Sequence, residues 1–124
     1  MPISLTDREA DVMRVLWEHG PSLVADVRAR LADPLAYTTV LTVLRILESK
    51  GYVGHTEEGR VHRYFASIGQ QTARKSALRH LTDKLFEGSS ELLMTQLVAD
   101  QKLTPEQVQR LRRMLVAKRG RGKS

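Results

Sequence analysis

Three threonines and an arginine in the run AYTTVLTVLRILESKGYV, from Ala36 to Val53, combine hydroxyls with a guanidinium at helical spacing. At about 100° per residue, Thr38, Thr42, Arg45 and Ser49 fall on one side of the wheel, while Val40, Val43, Leu44 and Leu47 fall on the other. Thr39 lies in the same first turn. Threonine is a mediocre helix former because its β-branch restricts χ1 against the preceding turn, so three in one short helix need a reason. Contact with a nucleic-acid duplex supplies one: hydroxyls can donate to phosphate oxygens, methyl groups can touch thymine methyls, and arginine can reach a guanine edge or a phosphate. A solvated helix face that happens to be rich in threonine is the alternative, and the choice between them turns on whether a docking fold surrounds the helix.

Chemistry of other kinds finds little material. The chain has no cysteine, no glycine-rich phosphate loop and no serine with an evident base, so no catalytic residue is expected. His19 and His80 lie within predicted helices, where structural roles predominate.

The elements that must position the threonine-rich helix can be read on either side of it. Thr6 and Glu9 have capping-box spacing and open a helix that Gly20-Pro21 ends, with Ala10, Met13, Leu16 and Trp17 on its core side. Ser22 can start a second, shorter helix with Val24, Val27 and Leu31 inward, stopped by Asp33-Pro34. The threonine-rich helix is the third, and Gly51 gives it a left-handed exit. Two β-like runs follow, Tyr52 to Thr56 and Arg60 to Phe65, joined at Glu57-Glu58-Gly59. Three helices and a hairpin make the winged helix-turn-helix plan, with the third helix suited to a major groove and the hairpin beside it.

The hairpin register decides what its histidines meet. A two-residue turn at Glu58-Gly59 would set His55 opposite His62, but type I′ geometry demands positive φ at both central residues, which glutamate resists. A type I turn over Glu57-Glu58 with Gly59 in a G1 bulge is cheaper and sets His55 opposite Val61. Two histidines without a third ligand make a poor zinc site in either register, so no metal is expected, and Arg60 and His62 read as phosphate contacts. Arg63 reads either as a cation for the same face or as a solvated strand residue. Tyr52, Val53 and Tyr64 should anchor the hairpin to the helices.

The runs LTDREADVMRVLW, AYTTVLTVLRILESKGYV, EEGRVHRY and ARKSALRHLTDKLFEGS, spread from about Leu5 to Leu115, together resemble the penicillinase-repressor family, the BlaI/MecI/CopY-type transcriptional repressors. The YTTVLT segment with its KGYV exit and GR-to-Y wing is the most specific part of the likeness. The resemblance implies a homodimeric repressor of resistance or stress genes that binds an inverted-repeat operator in double-stranded DNA, with TACA-like half-sites. It also implies C-terminal helices that interlock and space the two recognition helices. In the penicillinase branch a membrane sensor triggers proteolysis at an Asn-Phe bond. That bond aligns with Gln96-Leu97 here, a different dipeptide, which puts cleavage at this position in doubt. The copper-responsive branch senses metal through C-terminal cysteine motifs that this chain lacks, so neither copper sensing nor any cofactor is expected.

Length and charge set further bounds. A chain of 124 residues can bury about two-thirds of its unfolded surface, enough for one modest core. The formal net charge of +6 is unevenly placed: Met1 to Ala66 carries eight Lys/Arg against nine Asp/Glu, and Ser67 to Ser124 carries twelve against five. The overall charge therefore says little about how the first part would meet DNA. Local placement matters more, and Arg45, Lys50, Arg60 and Arg63 are candidates for one cationic face. No run is apolar enough to insert in a membrane and no signal-peptide pattern follows Met1, so a cytoplasmic protein is expected.

The expected organisation is a winged-helix DNA-binding domain over residues 1–68, a helical dimerisation region over 69–117 and a disordered basic tail over 118–124. Ala73, Ala77, Leu78, Leu81 and Leu85 stripe the first C-terminal helix, which Gly88 ends; Leu93, Leu97 and Val98 mark a second. Thr104, Pro105 and Gln107 form a strong start signal for a third, striped by Val108, Leu111, Met114 and Leu115. Helices this short cannot enclose a core alone. A second copy is the economical partner for Leu78, Leu81, Leu85, Leu93, Leu97, Val108, Leu111 and Leu115, with packing onto the first domain as the alternative. A different function class also fits the first domain: a winged-helix protein-interaction module whose threonine face meets a protein and shows no preference among duplexes.

Overall fold

Thr6 and Glu9 open the first helix by reciprocal capping. In the computed structural model, which describes residues 3–100 and 103–122, the Glu9 backbone N–H donates to the Thr6 hydroxyl at 3.2 Å and the Thr6 N–H donates to the Glu9 carboxylate at 2.8 Å. Helix α1 (Asp7–His19) ends at Gly20, whose φ of 77° needs a residue without a Cβ. Its buried residues are Glu9, Val12, Met13, Val15 and Leu16. Ala10 and Trp17, expected to face the core, are only half-buried. The capping box accounts for the rotation, because it draws Glu9 inward and brings Val12 along the same face. Trp17 sits at the rim, where its indole N–H donates to the Ile68 carbonyl at 2.9 Å.

Ser22 does not cap a helix. Ser22–Leu23 forms a two-residue strand, β1, ahead of helix α2 (Val24–Arg30). The Ser22 hydroxyl turns back to donate to the Gly20 carbonyl at 2.8 Å. Val24 and Val27 are buried as expected, and Leu31 is partly so. Helix α3 (Tyr37–Ser49) buries Val40, Val43, Leu44 and Leu47, the four residues that the wheel assigned to the core. It ends in a Schellman motif: the Gly51 N–H donates to the Glu48 carbonyl and the Tyr52 N–H to the Leu47 carbonyl, both at 2.9 Å, with Gly51 at φ 84°.

Strands β2 (Val53–Glu58) and β3 (Val61–Ala66) form an antiparallel hairpin, and β1 pairs with β3, so the sheet order is β1-β3-β2. Ser22 lies opposite Tyr64 and Leu23 opposite Arg63. That pairing satisfies backbone groups that β3 would otherwise present at an open edge. The hairpin register differs from both registers considered above. Glu58 pairs with Val61, so the loop is Gly59-Arg60, and His55 lies opposite Tyr64 while Glu57 lies opposite His62. Gly59 has φ 66° and Arg60 is not left-handed. Glycine at the first central position is what a II′ turn requires, and such a turn keeps the right-handed twist of the strands without a bulge. The core gathers Val12, Met13, Val27, Val40, Leu44, Leu47 and Tyr64, each at most 1% exposed.

The chain divides into two compact units, 1–80 and 81–124, with the boundary inside helix α4 (Gln70–Leu85). The first turns of α4 belong to the winged-helix unit, where Ala73 is buried and Ser76 accepts from the Ile3 N–H at 2.8 Å. In the second unit, α5 (Ser90–Asp100) and α6 (Pro105–Gly122) follow the end of α4. Thr104 and Gln107 cap α6 reciprocally, at 3.1 and 2.9 Å. Helix α6 continues to Gly122 where an irregular tail was expected from Lys118; cationic residues near a helix C-terminus complement its dipole. Lys123 and Ser124, also assigned to that tail, lie outside the described residues.

A Cβ at Gly51 would meet no atom within 4 Å, so the effect of substituting it is conformational alone. Gly51→Ala should destabilise the protein by about 1–2 kcal/mol, read as a lower urea midpoint with an unchanged m-value.

Candidate nucleic-acid interface

The turn into α3 is held from the preceding helix, because Arg28 Nε donates to the Leu35 carbonyl at 2.7 Å. The N-cap residue is Ala36, which has no side chain to offer, so the first N–H groups of α3 are left uncapped. Thr38, Thr39, Thr42 and Arg45 are all exposed, on the side of the helix away from its buried strip. The Thr42 hydroxyl donates to the Thr38 carbonyl at 2.9 Å. That bond occupies its proton, so Thr42 offers its methyl group and hydroxyl lone pairs rather than a free O–H.

Between α3 and the hairpin lies a cleft of about 220 Å³, lined in part by Tyr37, Leu41, Arg45, Arg60, Val61 and His62. Three of the residues assigned to DNA from sequence, Arg45, Arg60 and His62, therefore share one concave surface. Arg60 is exposed at the hairpin turn, and among the described residues it has no acidic partner. Tyr37, 48% exposed, was not singled out beforehand. Its signal was the four-residue spacing of Tyr37, Leu41 and Arg45, which sets them in a row along one helix edge.

Two other assigned cations are engaged elsewhere. Lys50 Nζ lies 2.8 Å from Glu9 Oε1 and 3.3 Å from the Ser4 carbonyl, so it ties the end of α3 to the capping box of α1. Arg63 sits one residue out of phase with His62 and Tyr64, on the opposite face of the hairpin. There it forks onto Glu58, with Nε at 3.1 Å and Nη2 at 3.4 Å from the two carboxylate oxygens. The single cationic face expected from sequence is thus narrower: Arg45 and Arg60 line the cleft, and Lys50 and Arg63 are paired outside it.

The wing is tied to α3 through side chains. Glu48, in the last turn of α3, reaches His55 Nδ1 at 2.5 Å. The His55 ring lies 4.6 Å from that of His62 and 5.3 Å from that of Tyr64. Tyr64 is 1% exposed. Burial, and after it the negative charge of Glu48, push its hydroxyl above the usual phenol range, while the Arg45 guanidinium beside it pulls the other way. Tyr64 therefore stays neutral at physiological pH and forms the floor on which Arg45 and the two histidines rest.

Gln96 and Leu97, aligned with the cleavage bond of the resembled family, lie inside α5, where the Gln96 side chain bonds to Asp100 at 2.5 Å. The C-terminal stripe stays largely uncovered: Leu78, Leu81, Leu85, Leu97, Val108, Leu111 and Leu115 are exposed and Leu93 is half-buried. Among the described residues, no helix is long and apolar enough to cross a membrane.

Comparison with known proteins agrees with this geometry. The model of the penicillinase repressor family matches residues 5–117. The penicillinase repressor of Bacillus licheniformis is 24% identical over 121 residues, covering 96% of this chain and 94% of that protein. The methicillin resistance regulatory protein MecI of Staphylococcus aureus (strain N315) is 16% identical over 113 residues, covering 90% and 92%. Among solved structures, a MarR family protein from Bacillus stearothermophilus superposes with a TM-score of 0.52 at 15% identity, over 98% of this chain and 78% of that one. The transcriptional regulator Tm0710 from Thermotoga maritima does so with a TM-score of 0.53 at 18% identity, over 95% and 76%. At such identities the likeness is one of fold.

Glu9 is 4% exposed. Desolvation alone would raise its pKa, but Lys50 and the Thr6 backbone and hydroxyl outweigh it and hold the carboxyl below its ordinary value. A depressed folded pKa contributes stability that is present above the unfolded pKa and lost as pH falls through the folded one. The stability gap between the native protein and Glu9→Gln should therefore shrink as pH drops from about 6 to about 3, followed by urea denaturation at each pH. Lys50→Met, which strands the carboxylate, should destabilise by about 1–3 kcal/mol near neutral pH.

Proposed function

The chain belongs to the penicillinase repressor family, a family of transcriptional repressors rather than enzymes, and we propose that it works as a homodimer gripping an inverted-repeat operator with one α3 from each copy. The observation that carries this reading is the exposed row of Thr38, Thr39, Thr42 and Arg45, set beside Arg60 and His62 in one cleft. Each α3 enters a major groove, where the Thr42 methyl suits a thymine and Arg45 suits a guanine edge. Arg60, His62 and the uncapped start of α3 meet flanking phosphates. Half-sites one or two helical turns apart match a two-fold dimer. Because Lys50 and Arg63 are held by acids, the electrostatic part of binding comes chiefly from Arg45 and Arg60 of each copy.

The dimer forms through the apolar faces of α4, α5 and α6, since helices this short leave Leu81, Leu85, Leu111 and Leu115 in water unless a second copy covers them. The genes under control are proposed to be resistance genes of the β-lactamase kind or stress genes, in keeping with the names of the relatives. The protein acts in the cytoplasm, where operator DNA lies. Relief by a sensor-triggered protease cutting near Gln96-Leu97 would require α5 to unwind first, because a protease takes its substrate extended.

Fluorescence anisotropy with duplexes from the protein's own promoter tests the reading. Arg45→Ala should weaken binding by about 1–3 kcal/mol and relax the preference at one base position. Arg60→Ala should weaken all duplexes alike and flatten the salt dependence by about one unit. Equal affinity of the native protein for every duplex would instead favour a protein-interaction module. In sedimentation, Leu111→Glu should yield monomers.

A further inference from the structure

The observed hairpin register brings together three groups that neither sequence register would have joined. His55 and Glu57 lie on one face of β2, and His62 lies across from Glu57 on the same face. The His62 Nε2 is 3.6 Å from Glu57 Oε1 and the His55 Nε2 is 3.9 Å from the same oxygen. One ligand atom from each of the three lies within 4.8 Å of the other two. In a tetrahedral site with metal–ligand bonds of about 2.0–2.1 Å, the ligand atoms stand about 3.3–3.4 Å apart, so a contraction of a few tenths of an ångström brings the carboxylate to coordination distance from both rings.

A fourth group does what the outer shell of such sites does. Glu48 Oε2 accepts from His55 Nδ1 at 2.5 Å, which places the proton on Nδ1 and leaves the Nε2 lone pair directed at Glu57. A carboxylate behind a ligating histidine fixes its tautomer and raises its basicity. The two imidazoles stack at 4.6 Å with 15° between their planes, so a shared ion requires them to tilt until their lone pairs converge. His62 and Glu57 are 40% and 67% exposed at the side chain, and they have the room to move.

We propose that His55, Glu57 and His62 form a site for one first-row divalent cation of the zinc class, with Glu48 as the positioning residue behind His55. Two imidazoles and a carboxylate suit zinc, cobalt or nickel better than magnesium or calcium, which prefer all-oxygen shells. Three protein ligands leave one coordination position open on the exposed side, for water or an external oxygen.

The test uses the full chain, stripped with chelator and titrated with zinc chloride by calorimetry near neutral pH. One ion per chain is expected, accompanied by shifts of the His55 and His62 imidazole ¹⁵N resonances. Glu57→Gln, an exposed substitution that leaves the core untouched, should weaken binding at least tenfold, and Glu48→Gln by about 10–100-fold. The double variant His19→Gln/His80→Gln should bind as the native chain does. Absence of stoichiometric binding would overturn the proposal, and so would binding that persists undiminished in a folded Glu57→Gln/His62→Gln variant.

Discussion

The position of α3 depends on the burial of one strip of four side chains. Val40, Leu44 and Leu47 have no exposed surface and Val43 has 9%, and they pack with residues of α1, α2 and the hairpin in a single core. Nothing local would hold this segment helical. Three threonines lower its propensity, Ala36 gives it no cap, and an isolated helix of this length is marginal in water. Burying each aliphatic side chain contributes about 1.5–3 kcal/mol relative to exposure, several times the propensity differences of a few tenths per residue. Tertiary burial therefore decides both that the segment is helical and which way it faces. The exposed threonine side owes its composition to what it must touch, since folding is secured from the opposite side.

Electrostatics then settles the ends. The last turn of α3 is held on two sides, by Lys50 to the Glu9 carboxylate and by Glu48 to His55. Both pairs join elements distant in sequence. The first ties α3 to the start of α1, and the second ties it to the wing. With Arg28 bracing the turn into α3, the helix and hairpin are positioned together. A groove-reading surface needs that coordination, because a shift of either element would separate Arg45 from Arg60.

Much of this was legible from residue types and spacing. The two capping boxes, the Gly51 exit and the buried strip of α3 are local or periodic signals, and each appears where the sequence indicates it. The differences arise where a distant partner decides. Ser22-Leu23 reads as a helix start until β3, some 40 residues on, offers it an edge. The face of α1 is turned because Glu9 has a cap to complete and a lysine to meet. Lys50 and Arg63 carry the right charge for phosphate, but Glu9 and Glu58 hold them, and such pairings become visible only once the chain is folded. The hairpin register hinged on whether Gly59 takes the first central position of a two-residue loop or the bulge position of a three-residue one, and a glycine is equally at home in both.

That turn has a consequence for how the protein can diverge. Side chains along a strand alternate faces, so adding or losing one codon near Gly59 would send His62 to the far side of the sheet while Tyr64 and the helices could be retained by compensating slippage elsewhere. The imidazole cluster is thus a trait that a lineage can acquire or discard in a single step, without revising the hydrophobic interior. Closely related regulators sharing this scaffold could differ in ionic sensitivity for no reason more elaborate than the length of one bend.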